Sequence, residues 1–222
     1  MTEDPYVALR EQMVQVIAIY ARYSSENLGK DAFAPKVMEV MGTVPRHEFV
    51  PLEVRPYAYA DGPLPIGYEK TISQPYMIAL MTDLADIEDG AKVLEVGTGL
   101  GYHAAVLAAM GAKVFSVEIV DELADRAREN LNRQGYKDVE LRIGDGSHGW
   151  ADHAPFDRIV VGAAPELIPP LLIGQLKPGG KMVVPAGMPD SQQLMVVEKD
   201  ETERLKTREV IPVRFSALET VN

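Results

Sequence analysis

The chain has no cysteine among its 222 residues. Disulfides, thiolate nucleophiles and cysteine-ligated metals are therefore excluded. Basic residues are in the minority: 22 Lys and Arg stand against 33 Asp and Glu, a net charge of −11. No Lys/Arg cluster stands out, so nucleic acid is not an expected partner, because phosphate-backbone binding needs a concentrated basic surface. No stretch approaches the ~20 apolar residues that cross a membrane. The start, Met1-Thr2-Glu3-Asp4, is acidic and has no apolar core segment, so no signal peptide is expected. The four histidines, His47, His103, His148 and His153, lack metal-ligand spacing, and no metal site is expected. Together these absences predict a cytoplasmic, monomeric protein, free of membrane, whose partner is a polypeptide or a small molecule.

What remains is ordinary globular composition, 46% hydrophobic and 25% charged. A chain of this length buries about 70% of its unfolded surface in one core. The pattern predicts a single α/β domain over 1–222. Residues 1–73 form an N-terminal helical and loop extension, 74–190 the core, and 191–222 C-terminal strands and a tail.

Tyr6, Leu9, Met13, Val16, Ile17 and Tyr20 recur at helical spacing. A short helix after Pro35 is expected to stop at Gly42. The proline-punctuated stretch from Pro45 to Pro75 reads as one long ordered loop, a length that is often functional. Helix 77–84, strand 93–96 and helix 102–110 follow. Strand 113–118 precedes a helix capped by Asp121 and ended by Gly135. Strands 139–143 and 157–161, helix 171–176, a Pro178-Gly179-Gly180 turn and strand 181–184 complete the core. Apolar or period-2 runs at 193–197 and 210–215 predict closing antiparallel strands.

The densest signal is Val93-Leu94-Glu95-Val96-Gly97-Thr98-Gly99-Leu100-Gly101-Tyr102, an apolar strand, an acid and a glycine turn opening an alanine-rich helix. The spacing is G-x-G-x-G rather than the dinucleotide G-x-G-x-x-G. Glu118 ends the next strand, 21 residues after Gly97, about where an acid accepts ribose hydroxyls. Gly144-Asp145-Gly146 continues the series, with a carboxylate suited to an adenine amino group and glycines permitting close approach. Three acids at successive strand ends should share one end of the sheet. S-adenosylmethionine, with a ribose and a positive centre, fits; NAD stays open on these residues alone, as does a bare βαβ crossover.

After the fourth strand the turn is Gly162-Ala163-Ala164-Pro165, which offers no proton acceptor. An acceptor that must be deprotonated would lack its base. A carboxylate would not, being ionised at neutral pH. Ser73, in Thr71-Ile72-Ser73-Gln74-Pro75-Tyr76, reads on physics alone as the N-cap of the next helix, with Pro75 in its first turn.

Residues 71–79, 93–107, Gly144-Asp145-Gly146 with Gly149-Trp150, and 154–157 together resemble the protein-L-isoaspartate O-methyltransferases. So do Ala163-Ala164-Pro165 with Ile168-Pro169, Gln175 to Gly180, Val44 to Pro51 and Pro63 to Gly67. The match runs in order over about 35–215. It implies an α/β, doubly wound, mostly parallel Rossmann-like sheet. It also implies methyl transfer from S-adenosylmethionine to the α-carboxylate of isoaspartyl residues in damaged proteins. The ester would close to a succinimide that hydrolyses partly to aspartate. Ser73 matches the active-site serine. Glu95, Gly97, Thr98, Gly99 and Gly101 match the methionine-side loop, Glu118 the ribose ligand, and Asp145 with Gly146 the adenine side. Thr71, Ile72 and Val213 match the substrate side. The chain departs from the family at Gly162, often threonine, and in its tail, where Val213-Arg214-Phe215 runs into Ser216-Ala217-Leu218. The altered tail, which borders the peptide in the family, keeps a second expectation alive: a carboxyl methyltransferase for a peptide natural product or small acid.

Overall fold

The computed structural model describes residues 5–221; the acidic start Met1–Asp4 and Asn222 lie outside them. Seven strands form one sheet in the order β5-β4-β3-β6-β7-β8-β9. They are β3 (Lys92–Val96), β4 (Lys113–Glu118), β5 (Glu140–Ile143), β6 (Phe156–Val161), β7 (Leu176–Met188), β8 (Ser191–Lys199) and β9 (Leu205–Val213). Pairing is parallel from β5 through β7 and antiparallel from β7 to β9. This is the doubly wound sheet with closing antiparallel strands that the sequence predicts.

Strand residues alternate between two cores, as the pleat requires. Val93, Val114, Val160 and Val183 pack with α1 (Val7–Tyr23), α3 (Pro35–Thr43), α4 (Pro75–Ala85) and α5 (Tyr102–Ala109). Leu94, Phe115, Ile159 and Met182 face the other way, against Leu172 of α7 (Pro170–Gln175). The first core runs from Met13 to Val210, so the extensions at both ends share it with the sheet. Helix α2 is one turn, Ser25–Leu28, and α6 is Asp121–Arg133.

The chain reverses direction across the sheet between β3 and β6, and the turns after β3, β4, β5 and β6 all open at the carboxyl end there. A ligand crevice is expected at that switch point.

Several local expectations are corrected. The stretch 45–75 is not one loop: it holds 3-10 turns at Arg46–Phe49 and Leu52–Tyr57, and an antiparallel hairpin of β1 (Leu64–Gly67) and β2 (Lys70–Ile72). Gly42 does not end α3; it lies inside, facing Val14 of α1, and the helix stops just before Pro45. Asp121 does not cap α6. Val120 is the cap, and Asp121 serves the helix dipole from the first turn. Residues 178–180 run within β7. Strand β9 starts five residues earlier than expected, because Lys206, Arg208 and Glu209 hide its period; such charges are common on a sheet edge.

Ser73 does not cap α4 either. Gln74 is the cap residue and makes no side-chain cap bond. The cap is tertiary: Asp61 Oδ1 accepts the Tyr76 N–H at 3.0 Å and Asp61 Oδ2 accepts Gln74 Nε2 at 3.3 Å. Ser73 is thereby left free of the helix terminus.

Candidate active site

The glycine loop stands on two neighbouring strands. The Gly97 N–H donates to Val117 O at 2.9 Å, and Gly97 needs φ 90°, a region side chains disfavour. The Gly99 N–H donates to Glu118 Oε2 at 2.7 Å. Glu118 Oε1 accepts the N–H groups of Ile119 at 3.0 Å and Val120 at 3.1 Å. One carboxylate therefore ties the glycine loop to the start of α6. Gly101 is the N-cap position of α5. Together these turns border a cavity lined by Gly97, Gly99, Glu118, Gly146 and Gly162, among others. A Cβ at Gly146 would overlap the Val96 side chain, so only glycine lets β5's turn approach β3.

Glu95, Thr98, Gly101 and Asp145 do not line the cavity. Ser116 Oγ donates to Glu95 Oε2 at 2.5 Å and lies 2.6 Å from Thr98 Oγ1. Glu95 is 1% exposed and Oε1 has no hydrogen-bond partner among the described residues. Burial pushes its carboxyl up to about 8; the Ser116 bond opposes this and the Glu118 charge adds to it. Glu95 thus braces the loop from behind.

Asp145 is similarly committed. Oδ1 accepts the Ser147 N–H at 2.8 Å, and Oδ2 accepts the Val221 N–H at 2.9 Å. Burial alone would raise its pKa, but these hydrogen bonds outweigh it and hold the carboxyl below the usual range. The tail reaches Asp145 by crossing the cavity. Ser216 O accepts the Ala164 N–H at 2.8 Å, and the Leu218 N–H donates to Ala164 O at 2.9 Å. Glu219 then pairs with Lys70. Ser216, Ala217, Leu218 and Glu219 all line the cavity. The altered tail residues therefore border this cavity, and only Ser216 also reaches the neighbouring groove.

That groove is open and lined by Asp61, Ser73, Gln74, Tyr76, Val213 and Arg214, among others. Thr71, Gly162 and Ser216 line both spaces, so cavity and groove share a wall. Ile72 is not in it. Alternation along β2 turns Thr71 outward and leaves Ile72 8% exposed in the core. Gly162 packs its turn directly on the glycine loop: its N–H donates to Val96 O at 2.7 Å, and a Cβ there would lie 3.3 Å from Val96 O and Gly97 O.

Sequence reasoning missed Lys70, Asp61 and Tyr20 as lining residues. Tyr20 was legible only as part of a helix stripe, and nothing in the spacing points to the other two. His103, despite following the glycine loop, is core: Thr82 Oγ1 lies 3.1 Å from Nε2, and burial lowers its pKa to about 4. Among the described residues no group of three or more His, Asp or Glu could hold a metal, and no helix is long and apolar enough to cross a membrane.

Comparison with known proteins agrees with this geometry. The family model for protein-L-isoaspartate(D-aspartate) O-methyltransferase matches residues 26–221. Protein-L-isoaspartate O-methyltransferase 1 of Polaromonas sp. strain JS666 is 55% identical over 219 residues, 99% of this chain and 93% of the relative. Protein-L-isoaspartate O-methyltransferase 2 of Syntrophobacter fumaroxidans is 56% identical over 217 residues, 97% and 88% of the two chains. A solved protein-L-isoaspartate O-methyltransferase superposes with TM-score 0.79 at 28% identity; the match covers 94% of this chain and 65% of that one. A Plasmodium falciparum chain solved with S-adenosyl-L-homocysteine gives TM-score 0.78 at 21% identity over 98% and 99% of the two, a likeness of fold. With strand-end acids, glycine loop and flanking groove in place, the chain belongs to the protein-L-isoaspartate O-methyltransferase family.

Proposed function

We propose that the cavity holds S-adenosylmethionine, that the groove holds an isoaspartyl peptide, and that the methyl group passes between them beside Ser73. The observation that carries this reading is the shared wall: Thr71, Gly162 and Ser216 border both spaces, and Ser73 lines the groove. The cofactor supplies a methyl group on a sulfonium. Glu118 presents a carboxylate for the ribose hydroxyls, and the backbone of Gly97 and Gly99 admits the methionine end. Gly146 borders the adenine end; Asp145 lies behind it, and its Oδ2 reaches the adenine amino group once the tail gives up the Val221 N–H.

Family membership makes the reaction methylation of the α-carboxylate of L-isoaspartyl residues in damaged proteins, the first step of repair through a succinimide. Carboxylate acceptors need no base, and the wall between the spaces offers none. The chain's own contribution is alignment. Thr71 and Val213 border the peptide, and the Ser73 hydroxyl orients the carboxylate. One chain supplies both spaces, so the site is complete without a second copy. Of the two altered tail residues, Ala217 borders the cavity alone and Ser216 borders both spaces, so the motive for a natural-product or small-acid enzyme narrows to Ser216.

Two peptides identical except for isoaspartate or aspartate at one position test the reading. Methyl transfer from labelled S-adenosylmethionine is expected with the isoaspartyl peptide alone. Transfer to neither peptide, with cofactor binding intact, would overturn the substrate assignment.

The adenine assignment has its own test. Val221→Pro deletes the N–H that occupies Asp145. Faster S-adenosylmethionine association is expected, by up to about tenfold, since one hydrogen bond to a charged group is no longer displaced. An unchanged association rate in stopped-flow would place adenine elsewhere.

A further inference from the structure

Ser73 belongs to no helix or strand; it lies in the link between β2 and α4. A hydroxyl that orients a substrate needs its own backbone held. Asp61 holds the helix side of the link, through Tyr76 N–H and Gln74. Ser73 itself is held from below. Arg46 Nη2 donates to Ser73 O at 2.7 Å, and Arg46 Nε donates to Ala58 O at 2.8 Å. The guanidinium carbon lies 4.9 Å from the centre of the Tyr102 ring, and Tyr102 begins α5 directly after the glycine loop. Arg46 is 0% exposed and lines neither the cavity nor the groove.

A buried cation satisfied by carbonyls is a poor way to fill space. An apolar side chain of similar volume is often neutral or better for stability. Nη1 makes no well-formed hydrogen bond among the described residues and has only the Tyr102 side chain beside it, which adds to the penalty. Burial draws the guanidinium down to about 10, opposed by Tyr102 and the charge of Asp61, so it stays cationic at neutral pH. What the guanidinium does that an apolar group cannot is bind two carbonyls at once in fixed geometry. Those carbonyls belong to the two segments that meet under the groove, Ala58 and Ser73.

We propose that Arg46 is a positioning residue for methyl transfer: by clamping the Ser73 carbonyl to the Ala58 carbonyl it fixes the backbone from which the Ser73 hydroxyl meets the peptide carboxylate. The clamp touches neither substrate nor cofactor. It rests on the reading of Ser73 as the orienting hydroxyl.

The test is a double-mutant cycle on the full chain with Arg46→Met, Ser73→Ala and the pair. Turnover, KM for the isoaspartyl peptide, the cofactor Kd and the melting midpoint are read for each. Arg46→Met is expected to lower kcat about 30-fold and leave the cofactor Kd within about twofold. In the Ser73→Ala background the same change is expected to add less than about threefold, because its effect passes through the missing hydroxyl. A purely structural role would not produce that non-additivity. Multiplying losses, or kcat and cofactor affinity falling together, would overturn the clamp. If Ser73→Ala alone keeps full turnover, the reading of Ser73 fails and the clamp with it. If Ser73→Ala loses turnover and Arg46→Met does not, only the clamp fails. Should Arg46→Met not fold, Arg46→Lys carries the same cycle: it keeps the charge but not the two-pronged geometry, and its kcat loss must likewise vanish in the Ser73→Ala background.

Discussion

Glu118→Ala is expected to weaken S-adenosylmethionine binding by about 10²-fold, because it removes hydrogen bonds made to a charged group that are worth about 1.5–3 kcal/mol each. Two losses coincide. The ribose loses its acceptor, and the glycine loop loses its tie to the start of α6, since Gly99, Ile119 and Val120 all donate to this one carboxylate. Glu118 is 5% exposed and lines the cavity, so water does not readily replace it. Glu118→Gln keeps an acceptor oxygen and should fall between wild type and alanine. Titration calorimetry decides: an unchanged Kd for Glu118→Ala would remove Glu118 from the cofactor site.

The second large effect is on turnover. Ser73→Ala is expected to lower kcat by about 10²-fold, the scale set by removing one well-placed donor from a reacting oxygen. Cofactor affinity should stay within about twofold, since the lost contact lies on the substrate side. Ordinarily such a change is confounded by a lost helix cap, about 1 kcal/mol. Here the cap of α4 is Asp61, and Ser73 makes no cap bond. The melting midpoint of Ser73→Ala should therefore move by less than about 2 °C, as for a substitution outside the structural contacts. Equal losses in kcat and cofactor affinity would sink the orienting role.

Where the sequence could be read, its signals were local. The glycine loop, the strand-end acids and the apolar runs of β3, β4 and β6 each occupy a few adjacent residues, and their order along the chain is enough to place their turns at one sheet end. The hairpin β1–β2 was hidden by prolines and tyrosines that read as a loop, although Gly67-Tyr68-Glu69 makes its turn with three positive φ angles in a row. Asp61, Lys70 and Arg46 were hidden differently. Their partners lie from 12 to 149 residues away, and no spacing rule reports a contact at that separation.

By itself, then, the sequence determined the sheet class, the glycine loop, the acid at Glu118 and the absence of a base at 162–165. The tertiary structure decided which of the candidate groups face a ligand. It turned Glu95 toward Ser116, gave one Asp145 oxygen to Val221, and buried Ile72 while exposing Thr71. It also moved the cap of α4 from Ser73 to Asp61 and so released the hydroxyl. The physical reason is common to all four. A side chain's chemistry is written in its identity, but its availability depends on burial and on distant hydrogen-bond partners, which exist only once the chain has folded.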